Sequence, residues 1–189
     1  MKNLKSIALS LVTLVTVSTT AQTTSKIDLT KSTINWVGKK VTGKHEGTIN
    51  LKDGALILEE KKLVGGNFTV DMTSIAVTDL EGGMKGKLEG HLKAEDFFGT
   101  DKYETSKLVF KKIAAKENGT YTVYAALTIK DKTNEVVFDL SIKDKTATAV
   151  VIIDRTKYGI EYGSGSIFDG LGDKAISDDF TLNVVLFFK

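Results

Sequence analysis

The sequence predicts an all-β fold: an eight-stranded antiparallel barrel with one short helix. The chain of 189 residues contains no proline, the residue that strand interiors tolerate least because it removes a hydrogen-bond donor from the sheet. Apolar and polar residues alternate with the period of two that is typical of half-buried strands. Short polar clusters separate these segments, so we expect sequential hairpins, whose closure into a barrel removes exposed sheet edges.

The alternation is clearest in residues 135–142, where Val136, Phe138, Leu140 and Ile142 share one face. The same pattern covers residues 121–129 and 180–188. Further strands are predicted at residues 32–39, 46–51, 55–60, 66–72, 107–114 and 146–154, which makes eight or nine in all. The predicted turns are Lys52-Asp53-Gly54, Glu117-Asn118-Gly119, Asp131-Lys132-Thr133-Asn134 and Lys143-Asp144-Lys145.

One segment breaks the strand pattern. Between Leu80 and Phe98, the apolar residues Leu88 and Leu92 are spaced as in a helix, and several glycines precede them. We therefore predict a short helix over about residues 87–95 that lies across one end of the barrel.

The first 21 residues have the pattern of a cleavable export signal. Lys2 and Lys5 precede an apolar run at residues 7–17, and small residues follow up to Ala21. The apolar run is too short to span a bilayer, and the absence of cysteine excludes a lipid anchor at the cleavage site. We expect a mature domain over residues 22–189, periplasmic or secreted, with no integral membrane span.

Composition excludes several functions. Lys2 and Lys5 belong to the 26 basic residues, so the expected mature domain has 24 bases against 24 acids. Nucleic-acid binding usually requires a basic surplus, and none is present. Without cysteine there is no disulfide framework, so a packed core must provide the stability.

Catalytic and metal-binding patterns are also missing. His45 and His91 are the only histidines and there is no thiolate, so we predict no metal site. Residues 163–166 lack the spacing of a nucleophile elbow. The adjacent carboxylates Asp178 and Asp179 would point to opposite faces of a strand and cannot readily act as an acid–base pair. We predict neither a catalytic residue nor a cofactor, and we interpret the lone Arg155 as a surface or structural ion-pair residue.

Two features leave alternatives open. The glycine-rich segment 82–87 is either a solubilising loop or, with Lys85, Lys87 and the start of the helix, a cradle for an anionic head group. An eight-stranded barrel is just wide enough either to be filled by its own side chains or to hold one small ligand. Small residues such as Ala125 and Ala149 on the inward faces would leave room for a ligand.

Three segments together resemble the YceI family of polyisoprenoid-binding, lipocalin-like proteins. Residues 91–98 (HLKAEDFF) are similar to the family pattern HL-(R/K)-S-x-D-F-F-D, and residues 127–136 (LTIKDKTNEV) to L-T-(I/L)-(K/R)-G-V-T-K-x-V. Residues 153–160 (IDRTKYGI) are similar to I-x-R-x-D-(F/W)-G-I. The chain departs from the family at Leu88-Glu89, Gly99 and Asp131. The resemblance implies a lipocalin-like barrel with an internal pocket for a long isoprenoid or similar amphiphile.

We therefore hypothesise a non-catalytic protein that carries or sequesters such a lipid. A packed structural or interaction module is the alternative, and a homodimer is possible in either case. An enzyme acting on a lipid or quinone would need a convergent acid–base pair, which the sequence does not show. The predicted lining residues are Trp36, Phe68, Phe98, Phe110, Tyr124 and Phe138, and the predicted head-group residues are Lys85, Lys87 and His91.

Overall fold

The computed structural model describes residues 21–189. The predicted export signal, apart from Ala21, lies outside the described residues. Within them, strands dominate, with one α-helix and two short 3-10 helices at Arg155–Tyr158 and Gly172–Lys174. The elements are β1 (Gln22–Lys26), β2 (Thr33–Lys40), β3 (Gly43–Glu59), β4 (Lys62–Val77), α1 (Gly82–Lys93), β5 (Thr105–Ala115), β6 (Thr120–Ile129), β7 (Lys132–Lys143), β8 (Thr146–Asp154) and β9 (Ile176–Phe187).

The strands form a closed antiparallel barrel. Their order is β3-β2-β9-β8-β7-β6-β5-β4, and β4 pairs with β3 to close the ring of eight. The short strand β1 pairs with the second half of β3, beyond the part that β2 covers. Short turns join β2 to β3, β3 to β4, β5 to β6, β6 to β7 and β7 to β8, as the polar clusters predict, whereas longer segments connect β4 to β5 and β8 to β9. The predicted all-β barrel with eight strands and one helix is confirmed.

Strand β3 is longer than the sequence pattern indicates. The turn predicted at Lys52-Asp53-Gly54 is wrong, because β3 continues through it from Gly43 to Glu59. A register shift against β4 occurs between Leu51 and Asp53, so the polar residues form a β-bulge instead of a turn. Gly54 is needed here because a Cβ atom would lie 2.7 Å from Cδ1 of Phe68 on the neighbouring strand.

The hairpin between β6 and β7 turns at a two-residue loop, Lys130-Asp131, which is earlier in the chain than predicted. Lys130 and Asp131 both have positive φ angles, 48° and 59°, which suit a tight turn whose twist matches the flanking strands. Strand β7 therefore begins at Lys132, and the turn predicted over residues 131–134 lies earlier than expected.

The helix also begins earlier than predicted, at Gly82 instead of residue 87, and ends at Lys93. Glycine has a low helix propensity, so the glycines at the start concealed the first turn. Among residues 21–189 no helix is long and apolar enough to cross a membrane.

One half of the barrel is packed solid. Side chains from β3, β4 and β6, from the residue after β1 and from the end of the chain fill it near the β3–β4 hairpin: Ile27, Leu56, Leu63, Val123 and Phe188. Leu56 and Val123 are completely buried. Because the chain contains no cysteine, the hydrophobic effect of this core supplies stability without disulfides. The opposite half of the barrel, beneath the helix, is not filled by its own side chains.

Candidate functional site

The half of the barrel beneath the helix contains an apolar cavity of about 230 Å³. Its wall is built from alternate residues of the strands, as the period of two predicts. Exposed side chains such as Lys39 and Asp179 also line it, so the cavity reaches the surface at this end. The apolar wall includes Ile34, Trp36, Phe68, Met72, Leu108, Phe110, Leu127, Phe138, Ala149, Val151, Phe180, Leu182 and Leu186.

The cavity volume lies just below the roughly 300–1,000 Å³ that small-molecule pockets usually span. Its wall offers almost no hydrogen-bonding groups, so the interaction that it supports is burial of an apolar chain segment. Among residues 21–189, no three potential metal ligands lie close together.

Three aromatic side chains of the wall lie over glycines on neighbouring strands. Trp36 pairs with Gly47 across β2 and β3, and a Cβ atom at Gly47 would lie 2.5 Å from the indole ring. Phe68 lies in the same way over Gly54. At Gly66 on β4, a Cβ atom would lie 2.7 Å from the ring of Phe110. These glycines fix the aromatic rings against the wall and leave the cavity open.

Ring contacts extend across the wall of the cavity. The centroid of Phe110 is 5.6 Å from that of Phe68 and 6.0 Å from that of Phe138. Nearer the helix, Phe98 meets Phe180 edge-on at 6.1 Å. Tilted and edge-on pairs of this kind are the favoured geometries of aromatic contacts, so the wall is a connected aromatic surface.

Helix α1 covers part of the opening. Leu88, His91 and Leu92 face the cavity from it. The side chain of Glu89 accepts a hydrogen bond of 2.8 Å from the backbone N–H of Val77, which ties the helix to the end of β4. The His91 ring packs edge-on against Tyr162, with 4.4 Å between centroids. The helix and the loop after β8 thus meet at the rim.

A buried arginine holds that loop in place. Arg155, which is 2% exposed, donates hydrogen bonds to the carbonyl oxygens of Ser177, Ile160 and Ile176 at 3.0, 2.8 and 3.1 Å. Its Nη2 atom lies 3.7 Å from Oδ1 of Asp178. The structural interpretation of Arg155 holds, but the side chain is buried at the cavity wall and not at the surface.

The structure brings five of the six predicted lining residues to the cavity: Trp36, Phe68, Phe98, Phe110 and Phe138. Tyr124 is the exception, and the prediction that it lines the cavity is wrong. Its neighbours Val123 and Ala125 are completely buried, so strand alternation turns Tyr124 to the outer face. There Lys112 lies over its ring at 5.2 Å.

The predicted head-group residues are only partly brought together. His91 lines the cavity, whereas Lys85 and Lys87 do not. Both lysines lie on the helix outside the cavity wall, and Lys85 is 3.9 Å from Glu89. Lys39 and Lys40, at the end of β2, line the opening instead. No sequence signal pointed to them, because lysines beside a hairpin turn resemble ordinary solvated residues.

The fold and the cavity define a lipocalin-like barrel with an apolar interior. Comparison with known protein families agrees, because the YceI-like domain matches residues 26–188. The chain belongs to the YceI family. Among curated relatives, a UPF0312 protein of Staphylococcus aureus strain bovine RF122 / ET3-1 is 35% identical over 85 residues, covering 39% of this chain and 47% of that protein. A UPF0312 protein of strain USA300 is 33% identical with the same coverage. The chain thus spans about half the length of these relatives.

Solved structures share the fold. BcnA of Burkholderia cenocepacia is similar with a TM-score of 0.65 and 23% identity, over 85% of this chain and 98% of that one. A polyisoprenoid binding domain from Saccharophagus degradans gives 0.62 and 16%, over 87% and 97%. The YCEI protein of Campylobacter jejuni gives 0.56 and 16%, over 100% and 99%. At these identities the likeness shows the fold alone.

Proposed function

We propose that this protein binds an isoprenoid-type lipid, or another amphiphile with a long apolar tail, inside the barrel. It carries or sequesters the lipid and catalyses no reaction. The observation that supports this proposal is the apolar cavity, which the side chains of the barrel leave unfilled beneath the helix. The YceI-like domain and the similarity to a polyisoprenoid binding domain add to it.

The energy of binding comes from burial of the tail. Each methylene group removed from water contributes about 0.8 kcal/mol, from which the cost of ordering the chain must be subtracted. A few isoprene units held in the cavity are then sufficient for micromolar affinity. The cavity receives a segment of the tail, and the polar end stays at the opening beside Lys39 and His91.

The export signal that the sequence predicts over residues 1–21 fits this role. A lipid tail is insoluble in water, so a carrier is useful where lipid must leave a membrane and cross an aqueous compartment. We therefore propose that the mature domain acts in the periplasm or outside the cell.

Native mass spectrometry of protein purified from its source membrane tests the binding. We expect an added mass that organic extraction releases as a hydrophobic lipid. In the variant Ala149→Phe, a ring fills the cavity and the added mass disappears. Val150→Phe is the matched control, because Val150 is 58% exposed and points outward from the same strand. Wild-type protein without bound lipid, and without uptake of added prenyl lipid, would overturn the proposal.

The absence of catalysis is tested separately. Protein incubated with a bound prenyl lipid should return that lipid with unchanged mass after extraction. A product that forms with the wild type and fails to form with His91→Gln, while binding persists, would support an enzyme instead.

A further inference from the structure

We infer that the ligand has an anionic head group, a carboxylate or a phosphate, which Lys39 and Lys40 bind at the cavity opening. This inference rests on the proposed lipid-binding function and specifies its ligand class. It starts from the charges that line the cavity. Among residues 21–189, the cationic side chains there are Lys39, Lys40 and Arg155, and Asp179 is the single carboxylate.

Most of the other polar groups at the opening already have partners. Arg155 donates to three backbone carbonyl groups. The Nδ1 atom of His45 is 2.9 Å from Asp79, and Nε2 of His91 is 3.7 Å from Asp96. By contrast, Lys39 and Lys40 form no ion pair with any carboxylate of residues 21–189.

The strand pairing explains why two successive lysines reach one opening. In a regular strand, neighbouring side chains point to opposite faces. Between β2 and β9, Gly38 pairs with Phe180 while Lys40 pairs with Ile176. One residue of β2 thus faces three of β9, and this irregularity lets both Lys39 and Lys40 line the cavity. Both lysines line the cavity and are exposed, so they lie where it reaches the surface.

An amphiphile matches this arrangement. Its tail lies against the apolar wall, and its anionic head receives charge-assisted hydrogen bonds from the lysines at the surface. Both lysines are exposed, so water screens the attraction and the gain in affinity is moderate, about tenfold. Higher salt reduces the gain, because exposed charges are screened at a distance of about 8–10 Å.

The test compares lipids with the same tail and different heads. Trp36 is the only tryptophan of the chain and lines the cavity, so its fluorescence reports binding. Farnesyl phosphate and farnesol form one pair, and palmitate and hexadecanol form another, all below their critical micelle concentrations. We expect the anionic member of at least one pair to bind about tenfold more tightly. Inorganic phosphate alone should not displace the lipid.

The double variant Lys39→Gln/Lys40→Gln should bring the two members of that pair within about twofold, because the anion loses its charged partners. The control Lys85→Gln/Lys87→Gln removes two helix lysines outside the cavity wall and should keep the preference. An equal affinity of alcohols and anions for the wild type, or a preference that survives loss of Lys39 and Lys40, would overturn the inference while leaving lipid binding intact. Tight binding of phosphate alone would identify a free anion as the ligand and overturn it too. If no lipid of either pair binds, the proposed function itself fails.

Discussion

The guanidinium of Arg155 is buried with its Nη2 atom 3.7 Å from Oδ1 of Asp178. This pair joins the end of β8 to the start of β9, on either side of the loop that borders the opening. Because Arg155 also satisfies three backbone carbonyl groups, it connects the loop to the barrel more firmly than an ion pair alone.

Replacing Arg155 by methionine should lower the free energy of unfolding by about 3–5 kcal/mol. The change leaves three carbonyl groups and Asp178 without the guanidinium. Urea denaturation measures the effect. Asp178→Asn is the control and should cost less, since the carboxylate is 26% exposed.

The hydroxyl groups of Ser164 and Ser166, and then Arg155, lower the pKa of Asp178 from its usual 3.8. A lowered pKa gives stability that is present above 3.8 and is lost as the pH falls through the folded value. The difference in the free energy of unfolding between wild type and Asp178→Asn should therefore shrink in strong acid.

An Arg155→Met variant as stable as the wild type would contradict the role of Arg155 in connecting the loop to the barrel.

Tyr158→Phe should stabilise the protein. Tyr158 is 1% exposed, and its hydroxyl group has no hydrogen-bond partner in the part of the chain that the structure describes. Removing an unpaired buried hydroxyl group should raise the free energy of unfolding by about 1 kcal/mol.

Burial also raises the pKa of Tyr158 to about 12, from the usual 10.0. Above pH 10.0 the hydroxyl group ionises in the unfolded chain but not yet in the folded protein. The wild type therefore keeps its full stability below pH 10.0 and loses stability as the pH rises towards 12. The stability advantage of the phenylalanine variant should widen over that interval in urea titrations. A variant less stable than the wild type at neutral pH would indicate that the hydroxyl group makes a bond of its own.

Gly47→Ala should destabilise the barrel by more than about 2 kcal/mol, because its Cβ atom would lie 1.9 Å from the carbonyl oxygen of Ala76. Either the strand or the ring of Trp36 must move. Gly38→Ala is the control, since no atom lies within 4 Å of a Cβ at that position. Thermal unfolding of both variants gives the comparison, and equal midpoints would show that Gly47 has no steric role.

Most of the fold, but not all of it, could be predicted from the sequence alone. The alternation of apolar and polar residues predicted the barrel and the inward-facing side of most strands, because one face of each strand must meet the core. It missed β1, whose residues QTTSK are polar and mostly exposed. It also split β3, because Asp53-Gly54 has the composition of a turn and only the partner strand makes it a bulge.

The residues of the candidate site could also be predicted only in part from the sequence. Large aromatic residues were good candidates for an internal wall, and five of them lie there, four on strands and Phe98 in the segment after the helix. Tyr124 was misplaced because its side chain follows the alternation set by Val123 and Ala125. Lys39 and Lys40 were not predicted, because their convergence depends on the register shift between β2 and β9. Pairing across strands is not encoded in any local pattern.

The helix that covers the opening should become more stable when its glycines are replaced. Gly86 and Gly90 have open space at the Cβ position, so each change to alanine should stabilise the helix by about 0.5–1 kcal/mol. Hydrogen exchange of the helix amides measures this. Gly82→Ala should have the opposite effect, because Gly82 has a φ of 55° that alanine adopts poorly. Unchanged exchange in the Gly86 and Gly90 variants would contradict the prediction.

The central claim is that the lipid tail lies inside the barrel, and quenching of Trp36 fluorescence tests it directly. A prenyl or fatty lipid carrying bromine on its tail should quench the fluorescence in a saturable way, because Trp36 lines the cavity. The quenching should be lost in Ala149→Phe and kept in Val150→Phe. Binding of the brominated lipid that leaves Trp36 unquenched, or equal quenching when the cavity is filled, would contradict the account.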